Sequence, residues 1–245
     1  MLPYLLGPEI PAIKSDKLRD ASNLPGKTCT LCAKGNMPQP SVIEVEIPTV
    51  VVLKGRINMQ KNILDGLRVA ILVTDDFEQV ELTEPKKALE QAGATTKIIS
   101  PKSGQVQGMN HDVKADTFPV DMTLGQANPN DFDAVLLPGG ALNADALRMV
   151  PEAQNFVRQA DSKGKPIAVI CHATWLLVSA GLVKGKTMTS YYTIQDDIRN
   201  AGANWVDQEM VRDGTWVSSR SPKDLPAFNQ GMVELFAGSK VTLQQ

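Results

Sequence analysis

Apolar and polar positions change rhythm at Leu67. From there to about Phe236, short apolar runs alternate with amphipathic segments, a pattern that predicts strands and helices in turn. Leu67-Arg68-Val69-Ala70-Ile71-Leu72-Val73 reads as a first buried strand, followed by an acidic turn from Thr74 to Glu81. Thr83 is placed to cap a helix with Pro85 in its first turn and Gly93 beyond its end, and Thr95 to Ile99 gives a second strand. This βαβ unit implies a parallel sheet. Asp133 to Leu137 is a third strand, ending in Pro138-Gly139-Gly140. Pro151 opens a helix whose apolar set, Ala153, Phe156, Val157 and Ala160, recurs at helical spacing. Lys165 to Ile170 then runs as a buried strand into Cys171-His172, and Ala173 to Ala180 reads as an apolar helix closed by Gly181. Beyond it come a strand over Lys186 to Ser190, a helix from Thr193 to Ala201 ended by Gly202, and a hairpin over Glu209 to Ser218 with an Asp-Gly turn. Ser221-Pro222-Lys223-Asp224 opens a last helix.

The order predicts an α/β fold: a three-layer αβα sandwich, flavodoxin-like, with a mostly parallel sheet and sites at the C-terminal ends of its strands. Residues 1–58 do not share the rhythm and hold seven of the 16 prolines. They read as an N-terminal extension beside a domain over 59–245, with Met59 a candidate native start. Val42 to Leu53 is strand-like but interrupted by Pro48. Cys29-Thr30-Leu31-Cys32 lacks the two further ligands a zinc site needs, because the chain's two histidines are His111 and His172. No metal is expected.

Composition narrows the classes. A 42% apolar content over 245 residues supports a sizeable core, and a net charge of −2 gives no footprint for nucleic acid. Three cysteines, an odd number, suit a reducing compartment. The N-terminus lacks a basic segment of the kind that opens a signal peptide. Ile167 to Val183 carries no Asp, Glu, Lys or Arg but reads as strand plus helix rather than a membrane span. A cytoplasmic protein with no membrane partner is expected.

The candidate chemistry sits at Cys171, where a strand turns into a helix. Unpaired N–H groups and the helix dipole there favour thiolate, and His172 is its covalent neighbour. Hydrolase elbows place glycines where Val169 and Ala173 stand here. On this stretch alone, a reactive thiol and an inert core cysteine both remain open. Gly139 and Gly140 would let backbone N–H groups approach a ligand, or simply make a tight turn. His111, in Asn110-His111-Asp112, reads as a loop residue.

Phe77-Glu78-Gln79-Val80-Glu81-Leu82, Leu137-Pro138-Gly139-Gly140, Ile170-Cys171-His172, Thr189-Ser190-Tyr191 and Trp216-Val217-Ser218-Ser219-Arg220 together resemble the PfpI-type branch of the DJ-1/PfpI superfamily, in collinear order. The resemblance implies Cys171 as nucleophile, His172 as general base and Glu78 as the protonated carboxyl against the thiol. It implies that Asp145, supplied across an interface in a homodimer or hexamer, orients the histidine. Gly139, Gly140 and the Ala173 backbone would form the oxyanion pocket, with Tyr191 beside it. Thr174 stands where the family often has proline. The implied activity is cofactor-free: attack on glyoxal, methylglyoxal or early glycation adducts, or intracellular cysteine peptidase action on peptides. The alternative is a non-enzymatic holdase chaperone or cysteine redox sensor. Glutamine amidotransferase chemistry is not expected, since no histidine follows His172.

Overall fold

The computed structural model describes residues 62–242. The readings of the 1–58 extension, of Cys29 and Cys32 and of a Met59 start lie outside the described residues. In chain order the elements are β1 (Arg68–Leu72), β2 (Phe77–Glu78), α1 (Gln79–Gln91), β3 (Thr95–Ser100), β4 (Gln105–Asn110), β5 (Val113–Pro119), β6 (Met122–Thr123), β7 (Ala134–Leu137), α2 (Ala141–Arg148), α3 (Pro151–Ser162), β8 (Ile167–Ile170), α4 (Thr174–Ser179), β9 (Thr187–Met188), α5 (Gln195–Asn200), β10 (Asn204–Trp205), β11 (Met210–Asp213), β12 (Trp216–Ser219) and α6 (Leu225–Thr242).

Seven strands form the main sheet in the order β11-β12-β8-β7-β1-β3-β6. All pairings in it are parallel except β11 on β12. Strand alternation sorts the core into two layers. Val69, Ile71 and Val73 pack with Leu82 and Leu89 of α1 and with Phe228 and Met232 of α6. Ala70 and Leu72 pack on the other face with Leu147 of α2, Phe156 of α3 and Leu176 of α4. Both faces being covered explains why β1, β7 and β8 read as near-continuous apolar runs. The expected αβα sandwich is the observed one, and the C-terminal ends of β1, β7 and β8 converge on one rim.

Two local readings change. Helix α1 begins at Gln79, not at Thr83, so Pro85 lies inside it. The missing proline N–H forfeits only the bond to the Glu81 carbonyl, while Glu81, Leu82, Pro85 and Leu89 form the buried face. Between the second and third predicted strands lies an unpredicted hairpin, β4 with β5, which β2 joins in a three-stranded sheet. Every residue of β5 is at least partly exposed, so no apolar alternation marked it.

Candidate active site

Ile170 ends β8 in extended backbone at φ −130°. Cys171 then takes φ +64°, a left-handed conformation for a residue with a Cβ, which costs about 1–3 kcal/mol. The turn sends its side chain into the layer beneath α1 and α6, where Ile170 also packs. Its neighbours permit this only because Gly139 has no side chain. A Cβ on Gly139 would lie 2.3 Å from Glu81 Oε2 and 2.6 Å from Cys171 Cβ. Gly140, at φ +91°, is as tightly placed: a Cβ there would meet the Glu78 nitrogen at 2.6 Å.

The carboxyl against the thiol is Glu81. It is fully buried, and its Oε2 accepts from the Gly139 N–H at 3.0 Å. Among the described residues Oε1 has no hydrogen-bond partner of ordinary geometry; the carboxyl interacts with the Cys171 thiol. Burial, reinforced by the nearby Glu78 charge, pushes the Glu81 carboxyl up to about 8, so it is protonated at neutral pH. Burial also pushes the Cys171 thiol up, and an ionised Glu81 would add to that; the Gly140 and His172 N–H groups act against it. The pair therefore carries at most one negative charge. With the proton on Glu81, its O–H becomes a donor to sulfur and its repulsion disappears. The helix-end stabilisation read from the sequence is present as these N–H donors, but burial works against it.

His172 Nδ1 stands 3.2 Å from Cys171 Sγ, and Nε2 stands 3.3 Å from Thr193 Oγ1. Its ring is flanked by Tyr191, with centroids 4.6 Å apart, and by Trp175 at 5.4 Å. Burial lowers the imidazole's pKa, which keeps it a neutral base. Asn143, wholly buried, knits the rim together. Its Oδ1 accepts from Thr74 N at 2.8 Å, and its Nδ2 donates to the Pro138 and Gly139 carbonyls at 3.1 and 2.9 Å.

Four residues expected at the site, Cys171, His172, Gly140 and Tyr191, come together on this rim, and Gly139 forms its wall; Ala173 ends the same turn but packs in the opposite layer, and the backbone donors to sulfur are Gly140 and His172. The Gly139 N–H is already donated to Glu81, which leaves Gly140 as the glycine donor facing sulfur. Tyr191 donates its backbone N–H to the Cys171 carbonyl at 3.3 Å. Glu78 is not the carboxyl on the thiol. Because α1 starts at Gln79, Glu78 precedes the helix, and its Oε2 accepts from the His111 N–H at 3.1 Å in the β4–β5 turn. His111, read as a loop residue, thus has Glu78 as its partner. Asp145 is exposed on α2 and makes no hydrogen bond or ion pair among the described residues. Glu81, Asn143, Trp175 and Thr193 were not singled out in the sequence. Only Glu81 carried a signal: a carboxyl on the apolar stripe with Leu82, Pro85 and Leu89. Among the described residues no group of three His, Cys, Asp or Glu side chains is arranged to hold a metal ion, and no helix is long and apolar enough to cross a membrane.

Comparison with known proteins places this geometry. The model of the DJ-1/PfpI family matches residues 67–235. "Deglycase PfpI" of Pyrococcus furiosus is 41% identical over 170 residues, covering 69% of this chain and 99% of that protein. "Putative cysteine protease YraA" of Bacillus subtilis is 38% identical over 168 residues, covering 69% and 97%. The crystal structure of Drosophila melanogaster DJ-1beta superposes with a TM-score of 0.64 at 27% identity, over 70% of this chain and 91% of that one. The matched segment opens on the first strand and closes in the last helix, enclosing the elbow and its buried glutamate, and the chain belongs to the DJ-1/PfpI family.

Proposed function

We propose that this chain is a cysteine-dependent enzyme acting on small reactive aldehydes, glyoxal and methylglyoxal or the early adducts they form with amines. The observation that carries the reading is the pairing of a thiol with a buried, protonated Glu81 on one side and a neutral imidazole at 3.2 Å on the other. Cys171 is only 6% exposed, which suits a two- or three-carbon aldehyde better than a polypeptide.

In the proposed reaction His172 Nδ1 takes the thiol proton as sulfur attacks the aldehyde carbon. The C=O electron pair moves onto oxygen, which receives a proton, giving a hemithioacetal. The Gly140 N–H and the Glu81 O–H face sulfur, where they would stabilise the negative charge that develops on it. His172 carries the carbon-bound proton to the adjacent carbonyl carbon while the hydroxyl proton passes to that carbon's oxygen, which leaves a 2-hydroxy thioester. Water then adds to the thioester carbon and the S–C bond breaks, releasing the hydroxy acid and returning a proton to sulfur. From an early amine adduct, sulfur attacks the carbon that bears the amine, the C–N bond breaks and nitrogen leaves with the proton that His172 took from the thiol, giving the same hemithioacetal. No cofactor is needed for this balance. We further propose that Asp145 acts across an interface with a second copy to orient His172.

Turnover of methylglyoxal to lactate by the purified protein, lost in Cys171→Ala, tests the reading. Cleavage of a peptide panel with no aldehyde turnover would replace it with the peptidase reading.

A further inference from the structure

We infer that Thr193 is a positioning residue that holds the His172 ring by its Nε2 edge, so that Nδ1 stays turned toward the Cys171 thiol. The inference rests on the reading of Cys171 as nucleophile and His172 as base. A neutral imidazole has one N–H donor and one bare acceptor nitrogen. If Nδ1 is to receive the thiol proton across 3.2 Å, Nε2 must carry the hydrogen. Thr193 Oγ1, 3.3 Å from Nε2, is the acceptor for it. After proton transfer both ring nitrogens are donors, and the same hydroxyl still accepts. One partner thus serves the ring before and after the step, without the charge a carboxylate would add.

The placement of Thr193 is tied to the nucleophile itself. The turn Tyr192–Ile194 that carries it starts at Tyr191, whose N–H is bonded to the Cys171 carbonyl, and closes with Ile194 N donating to the Tyr191 carbonyl at 3.2 Å. Ile194 is buried and anchors the turn. The rings of Tyr191 and Trp175 limit how far the imidazole can swing. Ring packing limits the plane, and the hydroxyl on Nε2 holds the opposite edge, with Nδ1, toward sulfur. Because this contact lies within one chain, it acts whether or not a second copy supplies Asp145.

The test is the rate of iodoacetamide alkylation at Cys171, followed by mass spectrometry of its peptide so that Cys29 and Cys32 do not contribute. Parent, Thr193→Val and Thr193→Ser are compared from pH 6 to 9. Thr193 is exposed, so the valine variant should keep the parent's melting temperature. We expect Thr193→Val to alkylate about three- to tenfold more slowly, the worth of one modest hydrogen bond, and Thr193→Ser to recover the parent rate. Nitrogen-15 spectra of the two histidines should show the His172 Nε2 resonance shifting in the valine variant and not in the serine variant. Unchanged rates and an unshifted Nε2 resonance in Thr193→Val, or a serine variant as slow as valine, would overturn the inference. Alkylation needs no substrate, so the result is independent of whether aldehydes are turned over.

Discussion

Glu81 is a carboxyl buried in an apolar layer, and its protonation can be tested by substitution. Glutamine reproduces a protonated carboxyl: its oxygen can accept from Gly139 N–H and its amide can donate to sulfur. Glu81→Gln should keep Cys171 alkylation within about tenfold of the parent, whereas Glu81→Leu, which offers sulfur no donor, should slow it about 10- to 100-fold. A glutamine variant as slow as the leucine variant would show that the carboxylate form is needed. Stability gives a second check. The folded chain keeps its Glu81 proton up to about pH 8, while the unfolded chain releases it near 4.5. The folded state therefore binds the extra proton in that window, and stability falls as pH rises through it. Denaturant unfolding at pH 6 and pH 9 should show the parent losing a few kcal/mol relative to Glu81→Gln; equal losses in both would count against a protonated carboxyl.

At the scale of elements, the rim is held by contacts between consecutive loops. Asn143 of α2 serves the loop after β1 and the loop after β7 at once. Asn143→Leu leaves the Thr74 N–H and two carbonyls without their partner and should cost about 2–4 kcal/mol in denaturant unfolding. A cost under about half a kcal/mol would mean that the loops hold themselves. Gly139→Ala should be worse for function than for fold: its methyl would collide with Glu81 and Cys171, so alkylation should fall before the melting temperature does. The elements themselves were largely legible in the sequence. Apolar runs doubly covered by helices announce buried parallel strands, and proline and glycine punctuated α3, α4 and the β11–β12 hairpin. Two things were hidden. Strand β5 is too exposed to alternate, and β4 buries only Val106 and Gly108; the start of α1 was masked by a threonine and a proline that imitate a helix opening four residues late. The resemblance assigns the carboxyl to Glu78, because the family's glutamate follows the first strand; a helix running from Gln79 instead turns Glu81 inward. Cys171 and His172 were legible because strand, nucleophile and helix are contiguous; Thr193 and Asn143 were not, because their roles depend on segments distant in sequence.

For the whole molecule the proposal bears on assembly. Leu142 of α2 and Met149, the residue that caps its C-terminus, are 64% and 74% exposed and stand seven residues apart, so they share a face near exposed Asp145. If a second copy covers that face and borrows Asp145, Leu142→Glu should lower the mass seen by light scattering and cut turnover, while Asp145→Asn should cut turnover with the mass unchanged. A fully active monomer would remove Asp145 from the site. The claim on which all of this depends is cysteine chemistry on a small aldehyde. It is tested most directly by following methylglyoxal loss and lactate gain with the purified protein and with Cys171→Ala, before and after dialysis against a chelator. The account predicts lactate from the parent in equal amount with or without the chelator, and none from Cys171→Ala. Lactate formation that survives Cys171→Ala, or a parent that forms none, would contradict it.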